Sequence, residues 1–312
     1  MKLGKLEPWE HMRTRALYEE IFTEDDQRFV DYYYKWKTKD NIIYAAEDEG
    51  TIHAMIHLNP FRVSVCGRIE KLHYIVAVAT REQYRHQGLM RRLLSMAEQD
   101  MAAAGEKLTF LMPASEKIYL PFGYRFFGWQ RRGVLEPGGQ QIGNHRDMSG
   151  TDEKLSGIRN IICRPLRAGE YGALAEFVNR ELEKQFDIYI YRDAAYYERL
   201  CAEQECQGGN VMVICRDSDD FGIIGVFCTA CEPEEESPSL REIILSREYF
   251  VEAQAALANY AGRYGRCRAE GCQKELKLEE ESWVPLLMGK IPGEGIFSDI
   301  PPCGSVFINE VV

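Results

Sequence analysis

Residues Arg68 to Met112 constrain the fold more than any other stretch, because their hydrophobic period changes twice. Arg68 to Thr80 (RIEKLHYIVAVAT) is rich in Ile, Val and Tyr and reads as a strand. After a polar turn, Met90, Leu93, Leu94, Ala97 and Met101 fall at helical spacing on one stripe, predicting a helix from about Gly88 to Ala104 that Gly105 stops. Lys107 to Met112 then returns to a strand pattern. A strand, helix and strand in immediate succession form a crossover, and a crossover joins parallel strands. Upstream, Asn41 to Glu47 and Thr51 to Val65 (interrupted at Asn59-Pro60) are strand-like, and turns at Asp48-Glu49-Gly50 and Cys66-Gly67 make them, with Arg68 to Thr80, an antiparallel meander. Helices are expected at Glu10 to Phe22 and Asp25 to Lys37, the second with Phe29, Tyr32, Tyr33 and Trp36 on one face. The expectation is an α/β (α+β) fold whose mixed, mostly antiparallel sheet is flanked by helices.

With 312 residues, 45% of them hydrophobic, the chain can fill about two cores. Glu136 to Gly157 is Gly-rich, polar and without period, a linker. After it come a strand near Ile158 to Arg164, helices near Ala168 to Lys184 and Ala194 to Glu203, strands at Asn210 to Arg216, Gly222 to Thr229 and Leu240 to Leu245, and a helix near Glu252 to Arg263. This order repeats that of the first half, so a duplicated fold is expected. The division is 1–135 for the first domain, 136–157 for the linker, 158–274 for the second domain and 275–312 for a short C-terminal region. Within that last region the ridge Trp283 to Met288 reads as packing between parts; the acidic runs Glu234 to Glu236, in the second domain, and Glu279 to Glu281 read as solvated loops.

Lys and Arg total 38 against 49 Asp and Glu, a formal charge of -11, so a broad basic surface for nucleic acid is not expected. An acidic surface instead favours cationic partners such as amines. The first twenty residues lack the apolar core of a signal peptide, and the longest apolar run, Tyr74 to Ala79, is too short to span a bilayer, so a cytoplasmic protein without membrane attachment is expected. Its ten cysteines are accordingly read as reduced thiols. Cys228 and Cys231 have a metal-like spacing, but no second pair repeats it, and no metal site is assigned.

The chemistry lies in Val76 to Leu94 (VAVATREQYRHQGLMRRLL). Arg85-His86-Gln87-Gly88-Leu89-Met90 joins a strand end to a helix start, where backbone N–H groups lack helical partners and bind anions. Gly88 permits close approach of a phosphate, and Arg85, Arg91 and Arg92 add positive charge where the helix dipole is already positive. An ordinary amphipathic helix with solvated arginines is the plainer alternative. A P-loop and a GxGxxG dinucleotide motif are both absent.

This segment resembles the GNAT acyl-CoA-dependent N-acetyltransferases, whose coenzyme motif is Gln/Arg-x-x-Gly-x-Gly/Ala after a strand ending Val-x-Val; Met90 replaces the small last residue. Ser115 to Tyr124 (SEKIYLPFGY) is similar to the serine-to-tyrosine segment of the Eis-like branch, which fuses two GNAT folds to a sterol-carrier-like region. The resemblance is specific over Tyr74 to Phe127 and architectural elsewhere.

The resemblance implies acetyl-CoA as cosubstrate, with Val76, Ala77 and Val78 pairing with pantetheine and Arg85, His86, Gln87, Gly88, Leu89, Met90 and Arg91 wrapping the pyrophosphate. Ser115 belongs to the same coenzyme site, and Tyr119 stands at the general-acid position. Read without the resemblance, Tyr119 is a core aromatic beside Phe122 and Tyr124. In the Eis-like branch a terminal carboxylate acts as base, which implies Val312, with Glu310 as the alternative; read without the resemblance, the apolar tail is simply a final strand. The implied reaction acetylates a primary amine on a small molecule or peptide, and a homo-oligomer is expected. His73 is either a substrate-pocket residue or a structural one. The second half lacks the coenzyme motif, so a second coenzyme site is not expected there, and the stretch after Cys272 is too short for a full sterol-carrier domain. A non-catalytic acyl-CoA-binding or regulatory protein is the main alternative, and a lipid binder is a further one.

Overall fold

The computed structural model describes residues 1–135, 161–216, 222–230, 237–292 and 305–309. The linker at 136–157, Cys231, Glu234 to Glu236, Glu310 and Val312 lie outside the described residues. In chain order the elements are β1 (Lys2–Lys5), α1 (Arg15–Ile21), α2 (Gln27–Trp36), β2 (Ile42–Asp48), β3 (Thr51–Val65), β4 (Arg68–Thr80), α3 (Leu89–Ala103), β5 (Thr109–Leu111), α4 (Glu116–Tyr119) and β6 (Arg125–Leu135). They continue with β7 (Ile161–Pro165), α5 (Tyr171–Glu183), β8 (Ile188–Ile190), α6 (Ala194–Cys206), β9 (Asn210–Arg216), β10 (Ile223–Ala230), β11 (Ser239–Leu245), α7 (Phe250–Ala261), β12 (Cys267–Cys272), β13 (Glu279–Lys290) and β14 (Val306–Phe307).

Two compact units emerge, and each draws on separated stretches of chain. The first holds Met1–Trp129, Asp187–Tyr191 and the described residues from Pro285 onward; the second holds the described parts of Gln130–Phe186 and Arg192–Val284. Sequence alone suggests consecutive segments instead. In particular, Pro285 to Lys290 belongs to the first unit, although it lies in the C-terminal region of the sequence division.

In the first unit the strands run β1-β2-β3-β4-β5-β13-β6, with β4 and β5 parallel and the pairs β1/β2, β2/β3, β3/β4 and β5/β13 antiparallel. Short β8 extends the β2 edge of β3, and β14 lies parallel to it. One face is covered by α1 and α2, whose Leu17, Tyr18, Val30 and Tyr33 pack on Ile43, Met55 and Ala79. The Asp26 carboxylate starts α2 by accepting a 2.9 Å bond from the Phe29 N–H. On the other face Leu89, Leu93, Leu94, Ala97 and Met101 of α3 are all buried against the sheet, each contributing about 1.5–3 kcal/mol for the larger side chains.

The second unit repeats this plan. Its strands run β6-β12-β11-β10-β9-β7, with β11 and β12 parallel and the other pairs antiparallel; α7 lies between the parallel strands and α5 and α6 pack on β9 to β11. The mixed, mostly antiparallel α/β architecture expected from sequence is therefore present.

Several local expectations change. The helix expected from Glu10 begins as 3-10 turns at Pro8–Thr14 and becomes α-helical only at Arg15. Strand β3 continues through Asn59-Pro60. Pro60 faces His73, whose own N–H goes to Glu106 at 3.1 Å, so this pair exchanges no ladder bond and the missing proline donor costs nothing there. Glu279 to Glu281 forms the start of β13, where Glu281 holds the buried Arg131 at 2.7 Å, and Trp283 to Met288 continues the same strand.

Candidate active site

β4 and β5 lie side by side from His73↔Thr109 to Ile75↔Leu111 and then part. On its other edge β4 stays on β3, with a register shift between the pairs His57↔Val76 and Met55↔Ala79. The extra residue is absorbed at Ala77, whose φ of 49° is left-handed, so β4 carries a β-bulge where its partner leaves. Toward β5, the backbone of Val76, Ala77 and Val78 has no strand partner among the described residues.

An eight-residue loop, 81–88, connects β4 to α3. Arg81 Nε stands 3.1 Å from Glu20 Oε2 as an ion pair, the Tyr84 ring stacks on His53 at 4.0 Å, Arg85 Nε donates to the Thr80 carbonyl at 3.1 Å and Gln87 Nε2 to the Gln83 carbonyl at 3.1 Å. His86 at φ 62° and Gly88 at φ 76° turn the chain into the helix. A Cβ on Gly88 would meet nothing within 4 Å, so glycine is required there by backbone conformation rather than by crowding. No side chain caps α3, and its first bond back is Arg92 N–H to the Gly88 carbonyl at 3.1 Å. The N–H groups of Leu89, Met90 and Arg91 therefore lack helical acceptors. Arg85, Arg91 and Arg92 are exposed around them, and the Arg91 guanidinium lies 4.8 Å over the Phe122 ring. Each cation at this helix end costs about 0.3–1 kcal/mol without an anion to offset it.

Tyr119 ends α4, and Ser115 stands exposed at its N-cap without a side-chain cap bond. The Tyr119 ring is buried in the cluster that holds Ile75, Leu89, Leu93 and Leu111, against which Val78, Met90 and Phe122 also pack. The end of β4, the start of α3 and Tyr119 are thus neighbours. Tyr119 meets Tyr124 edge to face at 6.0 Å, and its hydroxyl bonds to none of the described residues. Burial pushes its pKa up to about 12, which keeps the phenol protonated and able to donate.

On the opposite face, beneath α2, His57 Nδ1 lies 3.0 Å from the Tyr33 hydroxyl, and the Asn41 amide reaches the same hydroxyl at 3.4 Å. Burial lowers the His57 pKa to about 3, so its ring stays neutral. Asn59 and His57 Nε2 are buried polar groups without hydrogen-bond partners. Sequence reasoning missed this group, although His53, His57 and Asn59, set among the apolar residues from Ile52 to Phe61, are its visible signal. His73 is structural: its Nδ1 lies 2.6 Å from Glu106 Oε1, both side chains being buried. Cys228 is buried, and its spacing partner is outside the described residues. At the chain's far end, residues 305–309 lie in the first unit, where Val306 and Phe307 pair with Ile188 and Tyr189.

Among the described residues, no helix is long and apolar enough to cross a membrane. Residues 5–127 match the family described as Acetyltransferase (GNAT) domain. The curated proteins searched contain no match. Among solved structures, the chain is similar to a conserved protein of unknown function from Enterococcus faecalis V583, a probable N-acyltransferase, with TM-score 0.72 and 12% identity over 93% of this chain and 72% of that one. A GCN5-related N-acetyltransferase from Anabaena variabilis gives TM-score 0.69 and 13% identity over 93% and 73%, and Eis1 from Mycobacterium abscessus gives 0.58 and 12% over 93% and 74%. N-myristoyltransferase from Saccharomyces cerevisiae, solved with bound myristoyl-CoA, gives 0.55 and 11% over 93% and 83%. At such identities the shared property is the fold, and the matched segment together with these neighbours supports an acetyltransferase enzyme.

Proposed function

We propose that the protein is an acetyl-CoA-dependent N-acetyltransferase of the Eis-like, tandem GNAT type that acetylates a cationic primary amine, on a small molecule or a peptide. One observation carries the reading: β4 parts from β5 at a bulge, leads through the 81–88 loop into an uncapped, arginine-flanked helix N-terminus, and does so beside a buried, protonated tyrosine. These residues fit the coenzyme. The open backbone of Val76 to Val78 suits the amides of pantetheine, and the free N–H groups after Gln87, with Arg85 and Arg91, suit the pyrophosphate. Ser115 lies on the same stretch as Tyr119.

Acetyl-CoA supplies the acyl group as a thioester. The amine nitrogen forms the new bond to the carbonyl carbon, and a backbone N–H near Val78 holds the charge on the carbonyl oxygen. The bond from carbon to sulfur breaks, and Tyr119 gives its proton to the departing thiolate and recovers one from solvent. Tyr119 packs on the α3 face, whereas the neutral His57 and the unpartnered Asn59 are buried on the α1/α2 face. The ammonium proton leaves to water or a carboxylate, Val312 or Glu310 being the groups in question. We place the protein in the cytoplasm, as a homo-oligomer.

Thiol release from acetyl-CoA is to be measured against polyamines, aminoglycosides and lysine peptides, with Tyr119→Phe in parallel. Amine-dependent release that collapses in the variant supports the reading. Coenzyme binding without release for any acceptor favours the regulatory alternative, and absence of binding overturns the site.

A further inference from the structure

The side chain of Lys290, at the end of β13, crosses to α3. Its ammonium lies 2.7 Å from Glu98 Oε2, with the two side chains 11% and 15% exposed. The other carboxylate oxygen, Oε1, accepts the Tyr124 hydroxyl at 3.3 Å, and the same ammonium stands 5.9 Å from the Tyr124 ring centre. Tyr124 in turn sets its ring edge to face with Tyr119 at 6.0 Å, and its N–H bonds the Tyr119 carbonyl at 3.4 Å. None of the described residues bonds the Tyr119 hydroxyl, so the place of that ring depends on what its neighbours hold still.

A largely buried ion pair is a demanding way to pin a tyrosine. Replaced by apolar residues it is often no less stable, whereas losing one partner strands a charge. Its value therefore lies in geometry: the carboxylate is held by a strong, charge-assisted bond and offers its second oxygen in a fixed direction. Met288, two residues before Lys290, pairs with Leu111, so the strand that carries the lysine is in register with the one that leads to Tyr119.

We propose that Lys290 is a positioning residue for the general acid, acting through Glu98 and Tyr124 to hold the Tyr119 ring. This rests on the reading of Tyr119 as the acid. Because a misplacement of an ångström can cost a catalytic group about 100-fold, Lys290→Met lowers kcat by about 10- to 100-fold while the KM for acetyl-CoA stays within about twofold. Lys290→Arg, which keeps the charge and the reach, recovers most of the rate. Lys290→Met with Glu98→Gln removes the stranded charge and guards against misfolding; its kcat stays low.

A readout independent of turnover accompanies these. In protein labelled with 3-fluorotyrosine, the Tyr119 fluorine resonance, assigned by its loss in Tyr119→Phe, is single and sharp in the parent and in Lys290→Arg, and shifts or broadens in Lys290→Met and in the double variant. Parent-like kcat in the double variant, or an unmoved Tyr119 resonance in both methionine variants, overturns the proposal. A parent protein without amine-dependent turnover overturns the acetyltransferase reading, and the resonance still decides whether Lys290 holds the ring.

Discussion

The two units build the same cleft and then treat it differently. In the first, pairing between the parallel strands ends at Ile75↔Leu111, before the bulge at Ala77. In the second, β11 carries a bulge at the equivalent place, Glu242 with φ 52°, yet pairing with β12 continues past it to Ile243↔Cys272. Just beyond, the buried Gln273 amide accepts the Leu245 N–H at 2.8 Å and donates to the Leu245 carbonyl at 3.1 Å. These are the same kind of backbone groups that β4 leaves open. The bulge itself is tied down, because Glu242 meets the buried Arg192 at 2.9 Å and Arg192 reaches the Tyr197 hydroxyl at 3.2 Å. The connection into α7 has four residues, 246–249, against eight in the first unit. A bulged, parallel crossover is thus a scaffold feature; ligand capacity depends on whether strand partners and side chains satisfy the backbone it exposes.

The sharpest break of this contrast is Tyr119→Phe, which removes the donor from the open cleft and leaves the sealed one untouched: kcat falls by about 10²- to 10⁴-fold with acetyl-CoA affinity nearly unchanged, by steady-state kinetics and calorimetry. Gly88→Val comes next. It forces a β-branched residue to positive φ and blocks the approach to the helix N-terminus, so acetyl-CoA affinity falls by about 100-fold while the circular dichroism spectrum stays the same. Gln273→Ala strips both partners from Leu245 in the buried second cleft; denaturant titration shows a loss of about 2–4 kcal/mol. Calorimetric stoichiometry stays at one coenzyme per chain, and a rise to two would mean that Gln273 alone separates the clefts. Arg91→Ala gives the smallest effect, about three- to tenfold weaker acetyl-CoA binding that fades as salt rises.

A pH measurement separates the faces of the first unit. The folded pKa of His57, about 3, lies below its ordinary 6.5, so the unfolded chain binds the extra proton between these values. Stability attributable to this residue is complete above pH 6.5 and drains away as pH falls toward 3. His57→Gln flattens that acid loss. For Tyr119 the sign is opposite: its folded pKa of about 12 exceeds 10, so its contribution is present below pH 10 and is lost above.

Much of the fold was legible where partners are near in sequence. The meander, α3 and the order of the second half follow from period and turn residues alone. Strands β12 and β13 were not, for a physical reason. Cys267 to Cys272 contains Arg, Glu and Gly, and it is a strand because β11 and β6 flank it; β13 begins with three acidic residues and contains Pro285, and its partners lie more than a hundred residues away. In the site, the loop from Arg85 to Arg91 carries its own signal in Gly88 and the arginines. The bulge does not, since alanine at positive φ leaves no mark in a sequence, and the acid role proposed for Tyr119 rests on resemblance.

The threading of β13 has a consequence for biosynthesis. β5 receives its antiparallel neighbour only when Pro285 to Lys290 has been made, about 180 residues after Leu111. At about 5–20 residues per second, a nascent chain spends roughly 10–40 s on the ribosome with the β5 edge uncovered. An open strand edge invites association with other chains. The half that carries the proposed coenzyme site, although encoded first, is thus among the last parts to close, and a pause in translation before residue 285 prolongs its exposure rather than giving it time to fold.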